Sequence, residues 1–247
     1  MDDKIKTLAG LIASSRYTVA LTGAGISTSA GIPDFRGERG IYITRQYDPE
    51  KTFDIASFQK DPSSFYAFTR DFFNQFDTLR PTLSHLFLAR LEEAGLLHVI
   101  MTQNIDGLHH AAGSKQVIEL HGSYRTGRCL SCGAERDLAW IEERISSTGT
   151  LECPCGGITK PDIVFFGEPV HGIEASYREA LKADLFLVMG SSLTVYPAAL
   201  LPEVTRGKVV ILNKGITAFP PSKTTLFLDG DLDTISRAAA ALLDITL

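Results

Sequence analysis

A mostly parallel α/β framework is expected for this 247-residue chain. Short apolar runs recur along the sequence, helical patterns separate them, and small or polar loops follow the runs. With 44% hydrophobic residues the chain buries a sizeable core, as one large domain or as one domain with a small insertion.

Ile5, Leu8, Leu11 and Ile12 fall near helical spacing, so a helix precedes the first strand, Tyr17 to Leu21. Further strand-like runs are Leu97 to Met101, Val117 to Leu120, Leu185 to Met189 and Val209 to Leu212. Helical patterns cover Leu83 to Ala94 and Ile235 to Leu243. Two stretches interrupt the alternation: residues 35–80, rich in Phe and Tyr and suited to a partly helical insertion, and residues 124–158, which hold every cysteine. The strands are followed by Thr22-Gly23-Ala24-Gly25, Thr102-Gln103-Asn104, His121-Gly122, Gly190-Ser191-Ser192 and Asn213-Lys214-Gly215. Each loop alone reads better as an ordinary turn. Together they mark a site, because an open parallel sheet binds ligands outside the carboxyl ends of its strands.

The net charge of -5 supplies no overall field for nucleic acid or an acidic membrane. Met1-Asp2-Asp3-Lys4 does not read as a secretory signal, and no apolar run reaches membrane-spanning length. Four cysteines confined between Cys129 and Cys155 do not make a disulfide-stapled scaffold. A cytoplasmic protein without membrane or direct nucleic-acid partners is expected.

Gly23-Ala24-Gly25 stands directly after a strand, where glycines let the backbone turn and approach a pyrophosphate held by the next helix start. Thr28 occupies the third glycine position of the dehydrogenase fingerprint, and the acid expected about twenty residues later is missing. Hydride transfer is therefore disfavoured. His121 ends an apolar run, and an imidazole there suits a general base near neutral pH; the other five histidines keep a structural reading. Gln103, Asn104 and Asp106 offer two amides and a carboxylate that satisfy a carboxamide, and Asn104 and Asp106 also suit helix caps. Cys129-Leu-Ser-Cys132 and Cys153-Pro-Cys155, each followed by glycine, read as two zinc knuckles, the second one residue short of the commoner spacing. Four thiolates close the shell of one Zn2+, so the metal is structural.

The string GAGISTSAGIPDFRG from Gly23 to Gly37 resembles the sirtuins, as do TQNIDGLHHAAG (Thr102–Gly113), VIELHG (Val117–Gly122), KPDIVFFGE (Lys160–Glu168), GSSLTVYPAA (Gly190–Ala199) and ILN (Ile211–Asn213). These blocks span most of the chain in the family's order. The resemblance implies a single catalytic domain over 1–247: a Rossmann-like parallel sheet with helices on both faces (15–34, 81–123 and 159–247), a helical insertion or cofactor-binding loop (35–80) and a zinc-binding module (124–158). It implies NAD, consumed as a co-substrate, held by Gly23, Ala24, Gly25, Ser27 and Thr28, with Phe35 and Arg36 on a loop over the nicotinamide side. Read alone, Phe35 suits core packing and Arg36 a surface ion pair.

By the same resemblance Gln103, Asn104, Ile105 and Asp106 hold the nicotinamide amide and orient the ribose. Gly190, Ser191, Ser192, Asn213, Lys214 and Asp231 complete the NAD contacts. An acetyl-lysine peptide adds as an extended strand along Val164, Phe165, Phe166, Gly167 and Glu168, with Leu193, Val195 and Tyr196 opposite. The implied reaction is attack of the acyl oxygen on the NAD ribose with loss of nicotinamide. His121 then takes a ribose hydroxyl proton, and deacylated lysine and O-acetyl-ADP-ribose result. Sirtuins that prefer succinyl-lysine carry Tyr-x-x-Arg; Tyr66-Ala-Phe-Thr-Arg70 is one residue longer here, and Phe35, Val164 and Phe165 suit a neutral acyl group. Protein ADP-ribosyl transfer, other acyl groups and a catalytically silent NAD-binding module are the alternatives. Retention of His121, Asn104 and Asp106 together disfavours the last.

Overall fold

The computed structural model describes residues 1–34, 47–76 and 79–247. Its strands, in chain order, are β1 (Thr18–Thr22), β2 (Val99–Thr102), β3 (Val117–Glu119), β4 (Gly122–Cys129), β5 (Glu135–Asp137), β6 (Thr159–Ile163), β7 (Leu185–Met189), β8 (Lys208–Asn213) and β9 (Leu226–Asp229). The chain divides into two compact units. One comprises Met1–Ile32, Arg80–Leu120 and Gly172–Leu247, and the other Pro33–Leu79 and His121–His171.

The first unit is built on a sheet ordered β3-β2-β1-β7-β8-β9, with every neighbouring pair parallel. This is the doubly wound order, and its direction reverses between β1 and β7. Both of these strands are buried along their whole length, because a sheet covered on both faces has no solvent side on which to alternate. Ile5, Leu8 and Ile12 of helix Asp2–Ser14 share a core with Phe87, Leu88 and Leu91 of helix Leu83–Glu93 and with Ile235 and Ala239 of helix Leu232–Leu242. Burying Leu8 completely is worth about 1.5–3 kcal/mol, so Leu8→Asp should detach the first helix. That helix starts with two acids where its dipole favours them. It leads into β1 through a turn fixed by Asp184, whose carboxylate accepts from the amides of Arg16 and Tyr17 at 3.0 Å each.

The second unit holds an antiparallel sheet ordered β5-β4-β6, helix Leu138–Thr148, and helices Pro49–Thr52, Ile55–Lys60 and Ser63–Phe76. Asp54 and Asp137 cap two of these helices, accepting from Ser57 N at 2.7 Å and Trp140 N at 2.9 Å. Phe53, Phe58, Phe65 and Phe165 form the apolar centre of this unit, with ring centroids 4.9 to 6.4 Å apart and mostly edge to face. Residues 159–171, which the resemblance groups with the parallel sheet, fall in this unit. The reason is pairing: β6 returns antiparallel to β4, with Thr159 opposite Cys129.

Candidate active site

Where the strand order reverses, the loops after β1 and β7 lie backbone against backbone. Gly23 N donates to Met189 O at 3.1 Å, and Gly25 N donates to Gly190 O at 2.9 Å. A Cβ on Gly25 would stand 2.7 Å from Gly190 Cα; one on Gly190, whose φ is +65°, would stand 2.4 Å from Ile26 N. The close approach that the glycine pattern anticipates for a pyrophosphate is thus already demanded by the neighbouring loop. Among the described residues the amide of Ala24, at the start of the 3-10 turn Ala24–Ala30, has no acceptor and remains available as a donor.

The loop after β2 joins this contact. Gln103 N donates to Thr22 O at 2.9 Å, and Gln103 Nε2 donates to Ser191 Oγ at 2.8 Å. Asn104 Nδ2 donates to Gly23 O at 3.2 Å and to Ser27 Oγ at 3.1 Å; Ser27 Oγ donates in turn to Asp106 Oδ2 at 2.6 Å. Asp106 Oδ1 accepts from Leu108 N at 2.9 Å as helix Leu108–Ala111 begins, so Asp106 serves both the polar chain and the helix start. Asn104, Asp106 and Ser27 are all buried, and among the described residues Asn104 Oδ1 receives no donor. An amide held by its NH2 end with its carbonyl oxygen unused is suited to a ligand N–H.

Two other histidines brace this chain. His109 Nε2 lies 2.8 Å from Thr22 Oγ1, His85 Nδ1 lies 2.8 Å from Thr82 Oγ1, and the two rings are 4.7 Å apart. Burial pushes His85 down to about 4 despite the opposing pull of Asp106 and Asp233, and carries His109 well below the usual imidazole range. Both are neutral near pH 7, as framework residues. Thr22, read from the sequence only as the first residue of the loop after β1, joins the site through its hydroxyl to His109 and its carbonyl to Gln103 N.

The remaining expected NAD-side residues are placed individually. Thr28 Oγ1 turns back to Gly25 O at 3.0 Å. Ser192 O accepts from Ala218 N at 2.8 Å. Asn213 Nδ2 donates to Lys214 O and Gly215 O at 3.2 Å each, closing the loop after β8. Ile105 is half-buried and Lys214 exposed. The side chain of Asp231 caps helix Leu232–Leu242, accepting from Thr234 Oγ1 at 2.7 Å and Thr234 N at 2.8 Å, and these bonds hold its carboxyl below the usual range. Phe35 and Arg36 lie outside the described residues.

In the second unit, His121 is half-buried and its carbonyl accepts from Val164 N at 2.9 Å. Gly122 has φ +70°, and a Cβ there would sit 1.9 Å from Asp162 O. Glycine is required here because β6 passes too close for any side chain. Phe165, expected among the peptide contacts, is 1% exposed in the aromatic centre, whereas Phe166 is 48% exposed. Val164 and Glu168 are half-buried and Gly167 exposed. In the first unit, Leu193 is buried with φ 55°, Val195 is half-buried, and Tyr196 is exposed. Tyr66 is buried against Phe58, and the Arg70 guanidinium lies 3.8 Å from Asp71.

The sulfurs of Cys129, Cys132, Cys153 and Cys155 all lie within 4.8 Å of one another, with Cys129 to Cys155 at 3.6 Å and Cys132 to Cys153 at 3.8 Å. A disulfide requires about 2.05 Å. Thiolates bound to tetrahedral zinc at about 2.3 Å stand about 3.8 Å apart, so the four sulfurs fit one zinc ion with no position left for water. Gly133 N donates to Cys129 O at 3.0 Å and Gly156 N to Cys153 O at 2.8 Å, so each knuckle closes on the carbonyl of its first cysteine, the second in a turn one residue tighter, as its shorter spacing requires. The amide of Cys155 and the Arg136 guanidinium lower the Cys153 thiol to about 6, which favours the metal-binding thiolate.

A family model described as the Sir2 family matches residues 23–197. An NAD-dependent protein deacetylase of Sulfurisphaera tokodaii is 46% identical over 207 residues, 82% of each chain. A solved Sir2 complex with a deacetylated p53 peptide and 3'-O-acetyl ADP ribose superposes with a TM-score of 0.91 at 40% identity, covering 98% of this chain and 99% of that one. A Sir2 structure with a p53 peptide and NAD+ gives a TM-score of 0.87 at 40% identity, covering 96% and 97%.

Proposed function

This chain belongs to the Sir2 family, and on that premise we propose that it is an NAD-dependent protein-lysine deacetylase releasing nicotinamide and O-acetyl-ADP-ribose. The observation that carries the reading is the buried chain from Asn104 through Ser27 to Asp106, set beside the glycine contact at the strand-order reversal. It leaves the Asn104 carbonyl oxygen and the Ala24 amide as one acceptor and one donor, suited to a carboxamide N–H and a phosphate oxygen.

NAD enters as a substrate. The acetyl oxygen bonds to the ribose carbon as the bond to nicotinamide breaks, and nicotinamide leaves with that electron pair. His121 takes the proton of a ribose hydroxyl, whose oxygen attacks the acetyl carbon. Water completes release of the lysine amine and leaves the acetyl group on the ribose. Asn104 and Asp106 orient nicotinamide and ribose. Gly23, Gly25, Ser27, Thr28, Gln103, Ile105, Gly190, Ser191, Ser192, Asn213 and Lys214 shape the NAD contacts, joined by Asp231 through its backbone and by Phe35 and Arg36.

Val164, Phe166, Gly167 and Glu168, and Leu193, Val195 and Tyr196, are assigned to the peptide, with Phe165 supporting from the core. The zinc ion, held by Cys129, Cys132, Cys153 and Cys155, supplies structure and takes no part in the chemistry. An acetyl group is preferred to succinyl, because Tyr66 is packed in the core and Arg70 already faces Asp71. Among the described residues no helix is long and apolar enough to cross a membrane. Thiolates kept for a metal suit the reducing cytoplasm. Mass spectrometry of an acetyl-lysine peptide incubated with NAD tests the reading: loss of the acetyl group supports it, and gain of ADP-ribose with the acetyl retained overturns it.

A further inference from the structure

Lys160 has no assigned role above, yet its side chain is only 11% exposed and all of its bonds go to one short stretch of chain. Nζ donates to Ile163 O at 2.6 Å, to Glu168 Oε2 at 2.9 Å and, more weakly, to Pro161 O at 3.4 Å; it also stands 4.5 Å above the centre of the Phe165 ring. The same Glu168 oxygen accepts from Phe165 N at 2.8 Å. Lysine, carboxylate and backbone thus form one knot that pulls residues 163–168 into a tight bend.

The bend decides which backbone groups stay available. Val164 N is taken by His121 O at 2.9 Å, Phe165 N by Glu168, Phe166 N by Phe53 O at 2.7 Å and Glu168 N by Phe165 O at 3.0 Å. Phe166 O accepts from Ile55 N at 3.2 Å. Among the described residues 164–168 only Gly167 keeps an amide without an acceptor, and Pro169 follows with no N–H at all. A peptide strand pairing here therefore has a single amide to meet, presented by a bend whose charged members are Lys160 and Glu168.

We propose that Lys160 is a positioning residue for peptide binding, tying Ile163, Phe165 and Glu168 so that Gly167 offers its N–H to the incoming strand. The inference rests on the deacetylase reading for its substrate and on the bend alone for its mechanism. It also gives Glu168 a part in the bend: its Oε2 serves both Lys160 and the Phe165 amide.

The full-length protein is compared with Lys160→Met, Lys160→Arg and Glu168→Gln. Hydrogen exchange at the Phe165 and Glu168 amides reports the bend without any substrate. Binding of a fluorescent acetyl-lysine peptide and KM for peptide and for NAD report its use. Lys160→Met should speed exchange at both amides at least tenfold and raise peptide Kd and KM at least tenfold, with KM for NAD changed less than twofold. Lys160→Arg should recover most of both effects, and Glu168→Gln should speed exchange at Phe165. Equal losses for NAD and peptide, or unchanged peptide affinity with faster exchange, overturn the positioning role. Unchanged exchange in Lys160→Met overturns the knot itself. A wild-type protein that neither binds nor deacetylates the peptide defeats the deacetylase reading, while the exchange data still decide the knot.

Discussion

Gly190→Ala puts a methyl group into the backbone contact between the loops after β1 and β7. Alanine at φ +65° costs about 1–2 kcal/mol from the left-handed conformation alone. The new Cβ would lie 2.4 Å from Ile26 N and 2.6 Å from Gly25 C, against a comfortable separation of about 3.5 Å. Neither neighbour is a flexible side-chain end, so the loops have to part by about 1 Å. That parting breaks the 2.9 Å bond from Gly25 N to Gly190 O and weakens the 3.1 Å bond from Gly23 N to Met189 O, each worth about 0.5–1.5 kcal/mol. The sum is about 2–5 kcal/mol, short of the whole stability of an ordinary domain. Urea unfolding and calorimetric titration with NAD should therefore find a folded protein, destabilised by that amount, with NAD affinity reduced at least tenfold. Gly10→Ala is the matched control: it lies inside helix Asp2–Ser14, its Cβ would meet nothing within 4 Å, and it should gain about 0.5–1 kcal/mol. Wild-type stability and NAD affinity in Gly190→Ala would mean that the two loops do not pack as described.

Removing zinc with a chelator should lower the thermal midpoint sharply and abolish activity, and readdition should restore both; full stability of verified metal-free protein would overturn the structural role. Stability should fall on acidification because of His85. Its folded pKa of about 4 lies below the ordinary 6.5, so the unfolded chain takes up a proton first as pH drops. Its contribution is fully present above about pH 6.5 and is lost toward pH 4, up to about 3 kcal/mol. Urea unfolding of wild type and His85→Gln at pH 7, 6 and 5 should give the variant a shallower decline, and parallel curves would contradict the assignment. Initial rates on acetylated and succinylated forms of one peptide should favour acetyl, and a clear preference for succinyl would mean that Arg70 leaves Asp71 to bind the acyl carboxylate.

The parallel framework is legible because β1, β2, β3, β7 and β8 each centre on a short run of mostly apolar residues, and each lies within two residues of its expected limits. β9 and helix Ile173–Lys182 escape notice for opposite reasons. The strand is a short sheet edge, paired on one side only, and the helix keeps few buried positions, Ser176 and Ala180, neither of them large. The four cysteines are readable from spacing alone, because a metal imposes ligand distances that a sequence pattern records directly. The glycines after β1 are legible as necessary but not for the right partner: Gly25 meets Gly190, and elsewhere Gly122 meets Asp162, across sequence separations that no local motif encodes. The burial of Phe165 is hidden for a related reason. An aromatic residue beside an exposed Phe166 looks like part of the same surface until the Phe53, Phe58 and Phe65 rings enclose it. Lys160 is legible only as the first residue of the block KPDIVFFGE, with no role, since its importance lies in three bonds to atoms within eight residues, two of them backbone oxygens.

The assignment of NAD as a consumed substrate and His121 as the base is put at risk by one assay. An acetyl-lysine peptide is incubated with the zinc-loaded protein, with and without NAD, alongside His121→Ala, and nicotinamide and deacetylated peptide are counted together. Deacetylation should require NAD, release one nicotinamide per lysine freed, and fall by about a hundredfold or more in His121→Ala, the ordinary loss for a general base. Deacetylation without NAD, or an undiminished rate in His121→Ala, would contradict it.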